Sequence, residues 1–338
     1  MMVIMHEGAT AEEVARVVAR VEEVGAAAHV SSGDRVTVIG VIGDREELTG
    51  LPIEAMPGVE RVVAILKPYK LVSREFHAAD TVIDIRGAKI GGGHFAIIAG
   101  PCSVETADQV MESARAVKAA GGHMLRGGAF KPRTSPYAFQ GLGEEGLKML
   151  AAARDETGLA IVTELMDPRD LDVVCQYADV VQIGARNMQN FLLLAEVGRL
   201  DKPVLLKRGL SATVEEWLMA AEYVVKGGNR EVILCERGIR TFETATRNTL
   251  DLGAVAAAKL ACHLPVVVDP SHATGRRDLV LPLSLAGVAA GADGIIVETH
   301  PYPEHALCDG PQSIPTATFG EYADRVLELA RWAGKDVA

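Results

Sequence analysis

Aromatic side chains are scarce, at 4% of 338 residues, so any core has to be built mainly from Val, Leu, Ile and Ala. Long apolar runs are missing: none approaches the roughly 20 residues that a membrane-spanning helix needs. The first stretch, MMVIMHEGAT, is apolar for only five residues and then turns acidic, which does not fit a signal peptide and makes the cytoplasm the expected compartment. Positive charge is in deficit, with a net charge of −11, which argues against a nucleic-acid backbone or an anionic membrane as the main partner. Cysteines are few and scattered, at 102, 175, 235, 262 and 308. An odd number without a C-x-x-C pair argues against a disulfide framework and a structural zinc knuckle. Cys175, Cys235 and Cys262 read as small buried hydrophobes.

What is present falls into two rhythms. Residues 1–66 read as a small α+β module. A short apolar run, 2–5, is followed by Thr10 and Glu13 at capping-box spacing and by Val14, Val17, Val18 and Val21 on one helical face. AAAHVSS and RVTVIGVIG, joined at Gly33-Asp34, have strand composition; DREELTGLPIEAM offers a second short helix and GVERVVAIL a closing strand. The order β-α-β-β-α-β predicts a ferredoxin-like unit. It holds no catalytic cluster, so stability, assembly or regulation is its expected work. Residues 67–94 read as a connector in which KLVSREF and TVIDIRG are candidates for a β-hairpin.

From residue 95 to 338 short apolar runs recur, beginning at 95, 123, 160, 180, 203, 231, 265 and 294, with helical patterns in most intervals. One helix starts at a capping box of Thr106 and Gln109, another at Thr213 and Glu216, and the last is expected over 319–333 with Tyr322, Val326 and Leu329 on one face. Near-continuous apolar strands alternating with helices mean a parallel sheet covered by helices, and eight such units fit a closed (β/α)₈ TIM barrel.

In a barrel, chemistry sits where the strands end. The strand ends and the loops after them carry Cys102 (GPCS), Arg126, Lys131 and Arg133 (LRGGAFKPR), Arg186 (IGAR), Lys207 and Arg208 (LLKRG), Arg237 (CERG), His272 (DPSH), Glu298 and Asp309. Each alone has a bland reading, a surface ion pair or a structural histidine. Together they aim cations from at least five segments at one mouth, and such repulsion in a partly desolvated site demands a multiply charged anion. Phosphates fit, because guanidinium forks match their oxygens; the number of cations implies more than one phosphate or carboxylate. Cys102, His272, Glu298 and Asp309 form a second set suited to a divalent transition metal, Mn²⁺, Fe²⁺, Co²⁺ or Zn²⁺. His300, His305 and Cys308 are neighbouring alternatives, although Glu298 lies nearer the strand end than His300.

GPCS, KPRTS, IGAR, LLKRG, CERG, DPSHATG and CDGPQS, in this order over residues 85–338, resemble 3-deoxy-D-arabino-heptulosonate 7-phosphate (DAHP) synthases of the compact subfamily that also contains octulosonate phosphate synthases. The resemblance implies a metal-dependent aldol-type condensation of phosphoenolpyruvate with erythrose 4-phosphate, releasing phosphate, at the head of the shikimate pathway to the aromatic amino acids. It implies Cys102, His272, Glu298 and Asp309 on the metal, and Arg186 and Arg237 on the phosphoenolpyruvate phosphate. Arg126 and Lys207 would take its carboxylate, Lys131 would stand between the substrates, and Arg133 and Thr134 would take the erythrose 4-phosphate phosphate. Lys131 is the expected proton donor to the new alkoxide, with a pKa depressed by burial among cations. The first 66 residues resemble a ferredoxin-like regulatory domain, which implies tyrosine or phenylalanine as inhibitor, and family members often form homotetramers.

Two rivals belong beside this reading. 3-Deoxy-D-manno-octulosonate 8-phosphate synthases, which use arabinose 5-phosphate, resemble the chain in fold and metal set; KPRTS in place of their ANRTS-like loop, and the N-terminal module, favour the DAHP reaction. A non-catalytic sensor of phosphorylated metabolites has no need of a Lewis acid.

Overall fold

The computed structural model describes residues 1–33, 36–43, 51–63, 68–133 and 135–337. The chain divides into two compact units, Met1–Ala79 with Ala261–His263, and Asp80–Leu260 with Leu264–Ala338.

The first unit runs β1 (Met2–Met5), α1 (Ala11–Glu22), β2 (Ala27–Ser32), β3 (Thr37–Ile42) and β4 (Val59–Val63), with antiparallel sheet order β2-β3-β1-β4. This is the ferredoxin-like arrangement. Helix α1 begins where the sequence places it: Thr10 Oγ1 accepts from Glu13 N at 3.3 Å, and Glu13 Oε2 accepts from Thr10 N at 2.8 Å. That box satisfies two otherwise orphaned donors. Val17 and Val21 on its inner face pack with Val3, Met5, Ile39, Val41, Ile53 and Val59. Of the second helix expected at 44–56, residues 44–50 lie outside the described residues, and Ile53–Ala55 forms one 3₁₀ turn. The end of the closing strand, 64–66, also lies outside them.

In the second unit a hairpin forms, but not between 70–76 and 81–87. It pairs β5 (Ile83–Ile85) with β6 (Ala88–Ile90) around Arg86 and Gly87, both at positive φ (54° and 91°). A two-residue turn with both central residues left-handed matches the twist of its strands, and Asp84 Oδ1 accepts from Gly87 N at 2.8 Å. The turn therefore interrupts the run read as one strand. Ile83, Ile85 and Ile90 are buried with Ala96, Ile98, Met124, Leu205, Ile233 and Val267, which line the barrel interior.

The eight apolar runs become parallel strands: β7 (Ala96–Gly100), β8 (Met124–Arg126), β9 (Ala160–Leu165), β10 (Val180–Ile183), β11 (Val204–Lys207), β12 (Val232–Glu236), β13 (Val266–Val268) and β14 (Gly294–His300). They pair in sequence order, and β14 pairs with both β7 and β13, closing the barrel. A short β15 (Ile314–Pro315) extends β14. The helices are α2 (Ala107–Ala119), α3 (Glu144–Thr157), α4 (Leu171–Tyr177), α5 (Phe191–Val197), α6 (Val214–Lys226), α7 (Leu252–Ala261), α8 (Pro270–Thr274), α9 (Arg277–Ala289) and α10 (Thr316–Trp332). The Thr213 box is complete, with Glu216 Oε2 accepting from Thr213 N at 2.8 Å. The Thr106 box is half-formed: Thr106 Oγ1 accepts from Gln109 N, but the Gln109 amide turns to the Ser103 carbonyl and to Glu105 N. Helix α10 starts three residues before the expected position, directly after Pro315. None of the described helices is long and apolar enough to cross a membrane.

Candidate active site at the barrel mouth

The barrel delivers the selected residues to one end. Cys102 follows β7, and Gly100 lets that strand end lie against β8: a Cβ there would sit 2.0 Å from the Arg126 carbonyl oxygen. Arg126 and Lys207 are the last residues of β8 and β11, and Arg237 follows β12. Arg186 stands in a 3₁₀ turn, Ala185–Asn187, after β10. His272 is on the short α8, whose N-cap Asp269 accepts from His272 N at 2.9 Å. Glu298 is in β14, and Asp309 sits in the loop after it at φ 52°, a left-handed conformation that aspartate tolerates better than most residues. Thr134 lies outside the described residues.

The ligand atoms of Cys102, His272, Glu298 and Asp309 all lie within 4.8 Å of one another. Cys102 Sγ donates to Asp309 Oδ2 at 3.2 Å, and His272 Nε2 is 3.1 Å from Glu298 Oε1. On its far side His272 Nδ1 meets Asp269 Oδ2 at 2.7 Å. A carboxylate only accepts, so Nδ1 carries the hydrogen and Nε2 is turned to the cluster, which is how a second carboxylate orients a metal-binding imidazole. One sulfur, one imidazole and two carboxylates so placed fit a divalent transition ion. Two of the three neighbouring alternatives lie elsewhere. His300 Nδ1 accepts from Tyr302 N while its Nε2 is 3.5 Å from Glu105 Oε2, and His305 is exposed in the 303–305 turn. Cys308 borders the cluster, its Sγ accepting from Arg133 Nη1 at 2.9 Å.

Electrostatics follow from this crowding. Burial alone would raise the Glu298 carboxyl, but the facing His272 and then Arg126 hold it well below the usual range. Asp269 is held down in the same way by His272 and Lys207. The Cys102 thiol is pushed up by its hydrogen bond with Cys308, by burial and by Glu298. Lys131 corrects an expectation. Burial pulls its ammonium down, but Cys102 and Glu298 outweigh burial and Arg126, and its pKa rises instead of falling. Its Nζ donates to both Sγ and the carbonyl of Cys102 at 3.0 Å.

A cavity of about 540 Å³ opens beside this cluster. Its lining among the described residues brings together eight cations, Arg126, Lys131, Arg133, Arg186, Lys207, Arg237, Arg240 and Arg247, against two carboxylates, Glu164 and Asp309. Arg208 is not among them. It is buried under the mouth, bonded at 2.9 Å to both Glu236 and Asp251 and stacked 6.0 Å from Trp217, so it belongs to the scaffold. Arg126 is paired with Glu298 at 2.9 Å and Lys207 with Asp269 at 2.6 Å. Arg237 donates only to carbonyls, of Gly238 and His272, and the side chains of Arg186 and Arg240 have no protein partner among the described residues.

Residues that the strand-end reading missed are Glu164, Arg240, Arg247 and Asp269. Arg240 and Arg247 lie deeper in the loop that starts at Arg237, beyond the one or two residues taken from each run. Glu164 was in reach, as the penultimate residue of β9. Asp269 carried a signal too, three residues before His272 in DPSH.

Residues 77–332 match the profile of the DAHP synthetase I family. The chain belongs to that family. Residues 1–67 match the DAHP synthase ferredoxin-like domain. As a family member the chain is an enzyme, a transferase of the synthase type, and the DAHP synthase family is metal-dependent. Among its relatives is the phospho-2-dehydro-3-deoxyheptonate aldolase of Thermotoga maritima, 54% identical over 337 residues that cover 100% of both chains. A crystal structure of that DAHP synthase superposes with a TM-score of 0.79 at 53% identity, covering 99% of this chain and 98% of the other. A truncated form of the Thermotoga enzyme matches 79% of this chain and 98% of its own, with a TM-score of 0.75. The 2-dehydro-3-deoxyphosphooctonate aldolase of Syntrophotalea carbinolica is more distant, 34% identical over 69% of this chain and 90% of its own.

Proposed function

We propose that this chain condenses phosphoenolpyruvate with erythrose 4-phosphate and water to give 3-deoxy-D-arabino-heptulosonate 7-phosphate and inorganic phosphate. The observation that carries the reading is the meeting, at one barrel mouth, of a four-donor metal cluster and a cavity with eight lining cations. Cys102, His272, Glu298 and Asp309 would hold the ion. When bound, it supplies a Lewis acid toward the aldehyde oxygen.

The remaining work falls to the chain's own groups. Arg186 and Arg237 take the phosphate of phosphoenolpyruvate; neither is hydrogen-bonded to a carboxylate among the described residues. Arg126 and Lys207 take its carboxylate and so fix the plane of the enol, with its C3 turned to the aldehyde carbon. Arg133 and Thr134 take the phosphate of erythrose 4-phosphate. Lys131, an ammonium with three donors, stands against Cys102 and is placed to protonate the alkoxide that forms. Water then adds at C2, and the tetrahedral species expels phosphate into the guanidinium set. Positioning and fixed charge account for most of the acceleration.

We further propose Mn²⁺, Fe²⁺, Co²⁺ or Zn²⁺ as the ion, inhibition by tyrosine or phenylalanine through the first 66 residues, and a homotetramer. A light-scattering mass of one or two chains contradicts the tetramer, and undiminished turnover with either amino acid contradicts the regulation. The octulosonate reaction is the runner-up; it is disfavoured by KPRTS and by the lower identity of the octulosonate relatives, 34% against 54%. Purified protein given phosphoenolpyruvate and each aldehyde in turn tests the two. Preference for arabinose 5-phosphate overturns the primary reading.

A further inference from the structure

The two cations assigned to the carboxylate of phosphoenolpyruvate are also the two that neutralise carboxylates around the metal cluster. Arg126 Nη1 is 2.9 Å from Glu298 Oε1, the same oxygen that faces His272 Nε2 at 3.1 Å. Lys207 Nζ is 2.6 Å from Asp269 Oδ2, the same oxygen that faces His272 Nδ1 at 2.7 Å. All four partners are buried: Arg126 and Lys207 are each 4% exposed, Glu298 1% and Asp269 0%. A buried charge separated from its partner is costly unless another partner replaces it. Moving a cation onto substrate therefore changes what the carboxylate behind it can offer.

We propose that the pairs Arg126–Glu298 and Lys207–Asp269 couple phosphoenolpyruvate binding to metal binding, with Asp269 as the positioning residue that joins Lys207 to His272. The proposal rests on the assignment of the cavity to phosphoenolpyruvate and deepens it. Both pairs act with the same sign. A substrate carboxylate drawing on Arg126 releases Glu298 Oε1 toward an incoming cation. A substrate carboxylate drawing on Lys207 leaves more of the Asp269 charge on His272 Nδ1–H, which makes Nε2 a stronger donor. The incoming carboxylate also cancels positive charge that would repel a divalent ion. Reciprocity requires that the metal tighten phosphoenolpyruvate by the same factor.

The test is a binding cycle on the full chain without aldehyde, so that no turnover occurs. Mn²⁺ affinity is read from the free-ion electron paramagnetic resonance signal, with and without phosphoenolpyruvate, after subtracting Mn²⁺ chelated by free phosphoenolpyruvate. Phosphoenolpyruvate affinity is read by equilibrium dialysis, with and without Mn²⁺. The expected coupling is about tenfold in both directions. In Asp269→Asn, which keeps a competent helix cap, Mn²⁺ affinity falls about 10- to 100-fold and the coupling factor drops several-fold, while the melting curve keeps its cooperative form. A merely structural role for Asp269 would not move the coupling factor. Wild-type protein that binds both ligands with a factor of one overturns the proposal and leaves the functional reading standing. Mn²⁺-loaded protein that binds no phosphoenolpyruvate overturns both.

Discussion

At the ends of β8 and β11 the cations are already spoken for: Arg126 and Lys207 lie within 2.9 Å of buried carboxylates. In the loops after β10 and β12, the neighbours of β11, Arg186, Arg237 and Arg240 face the same cavity with no carboxylate partner among the described residues. The contrast is informative because both sets face one cavity. Of the unpaired cations only Arg237 is buried, Arg186 and Arg240 being exposed; guanidiniums that converge on one cavity without a carboxylate suit an external anion of high charge, such as a phosphate dianion. A cation already paired can receive a monoanion only by sharing, which makes its occupancy depend on the group behind it. On the function proposed above, the unpaired set receives phosphate and the paired set joins substrate carboxylate to metal.

The strongest way to break this division is to remove a metal ligand. Losing a group that only orients a metal ligand costs about 10- to 100-fold, so losing a ligand itself, in Cys102→Ala, should cost more than about 100-fold in turnover. Metal content should fall with it, as measured by atomic absorption. An undiminished Cys102→Ala enzyme would contradict the metal assignment. Next comes the scaffold beneath the mouth. Arg208→Ala strands the buried Glu236, whose carboxyl burial already pushes up against the pull of Arg208, and should destabilise the protein by about 3–5 kcal/mol in denaturant unfolding. Arg186→Ala should do the converse. With no partner among the described residues to strand, its stability should stay within about 0.5 kcal/mol of the parent. Its KM for phosphoenolpyruvate should rise about tenfold, the value of a charged hydrogen bond partly screened by solvent, since Arg186 is exposed. Stability loss in Arg186→Ala, or an untouched KM, would erase the distinction between the two sets. The smallest effect belongs to Arg133, which is exposed and already donates to Cys308 Sγ. Arg133→Ala should raise KM for erythrose 4-phosphate by less than about tenfold, because solvent screens an exposed pair, and should leave KM for phosphoenolpyruvate unchanged.

The same contrast marks what could be read from the chain. The eight strands were legible because a parallel strand covered on both faces must be apolar along most of its length, as AIIAG and VVV are throughout. The cations were legible because a barrel strand has one functional end. Pairing was not legible. That Lys207 meets Asp269, 62 residues away, depends on the register of β11, β12 and β13, which no local pattern encodes. For the same reason Lys131 was expected to lose its proton readily: the cations around it are visible in the sequence, whereas Cys102 and Glu298 approach it from other strands. The hairpin at 83–90 was misplaced because Arg86 takes a left-handed conformation that arginine seldom adopts, so nothing before Gly87 announced the turn. Gln109 failed to complete its box because the Ser103 carbonyl and Glu105 N offered its amide two partners at once.

The central claim is that the metal cluster and the cation-lined cavity are one active site. The direct measurement is phosphoenolpyruvate consumption in the presence of erythrose 4-phosphate, by protein stripped with a chelator and then resupplied with Mn²⁺. The account predicts that stripping abolishes consumption and that Mn²⁺ restores it. Full turnover by the stripped, metal-free protein would contradict it.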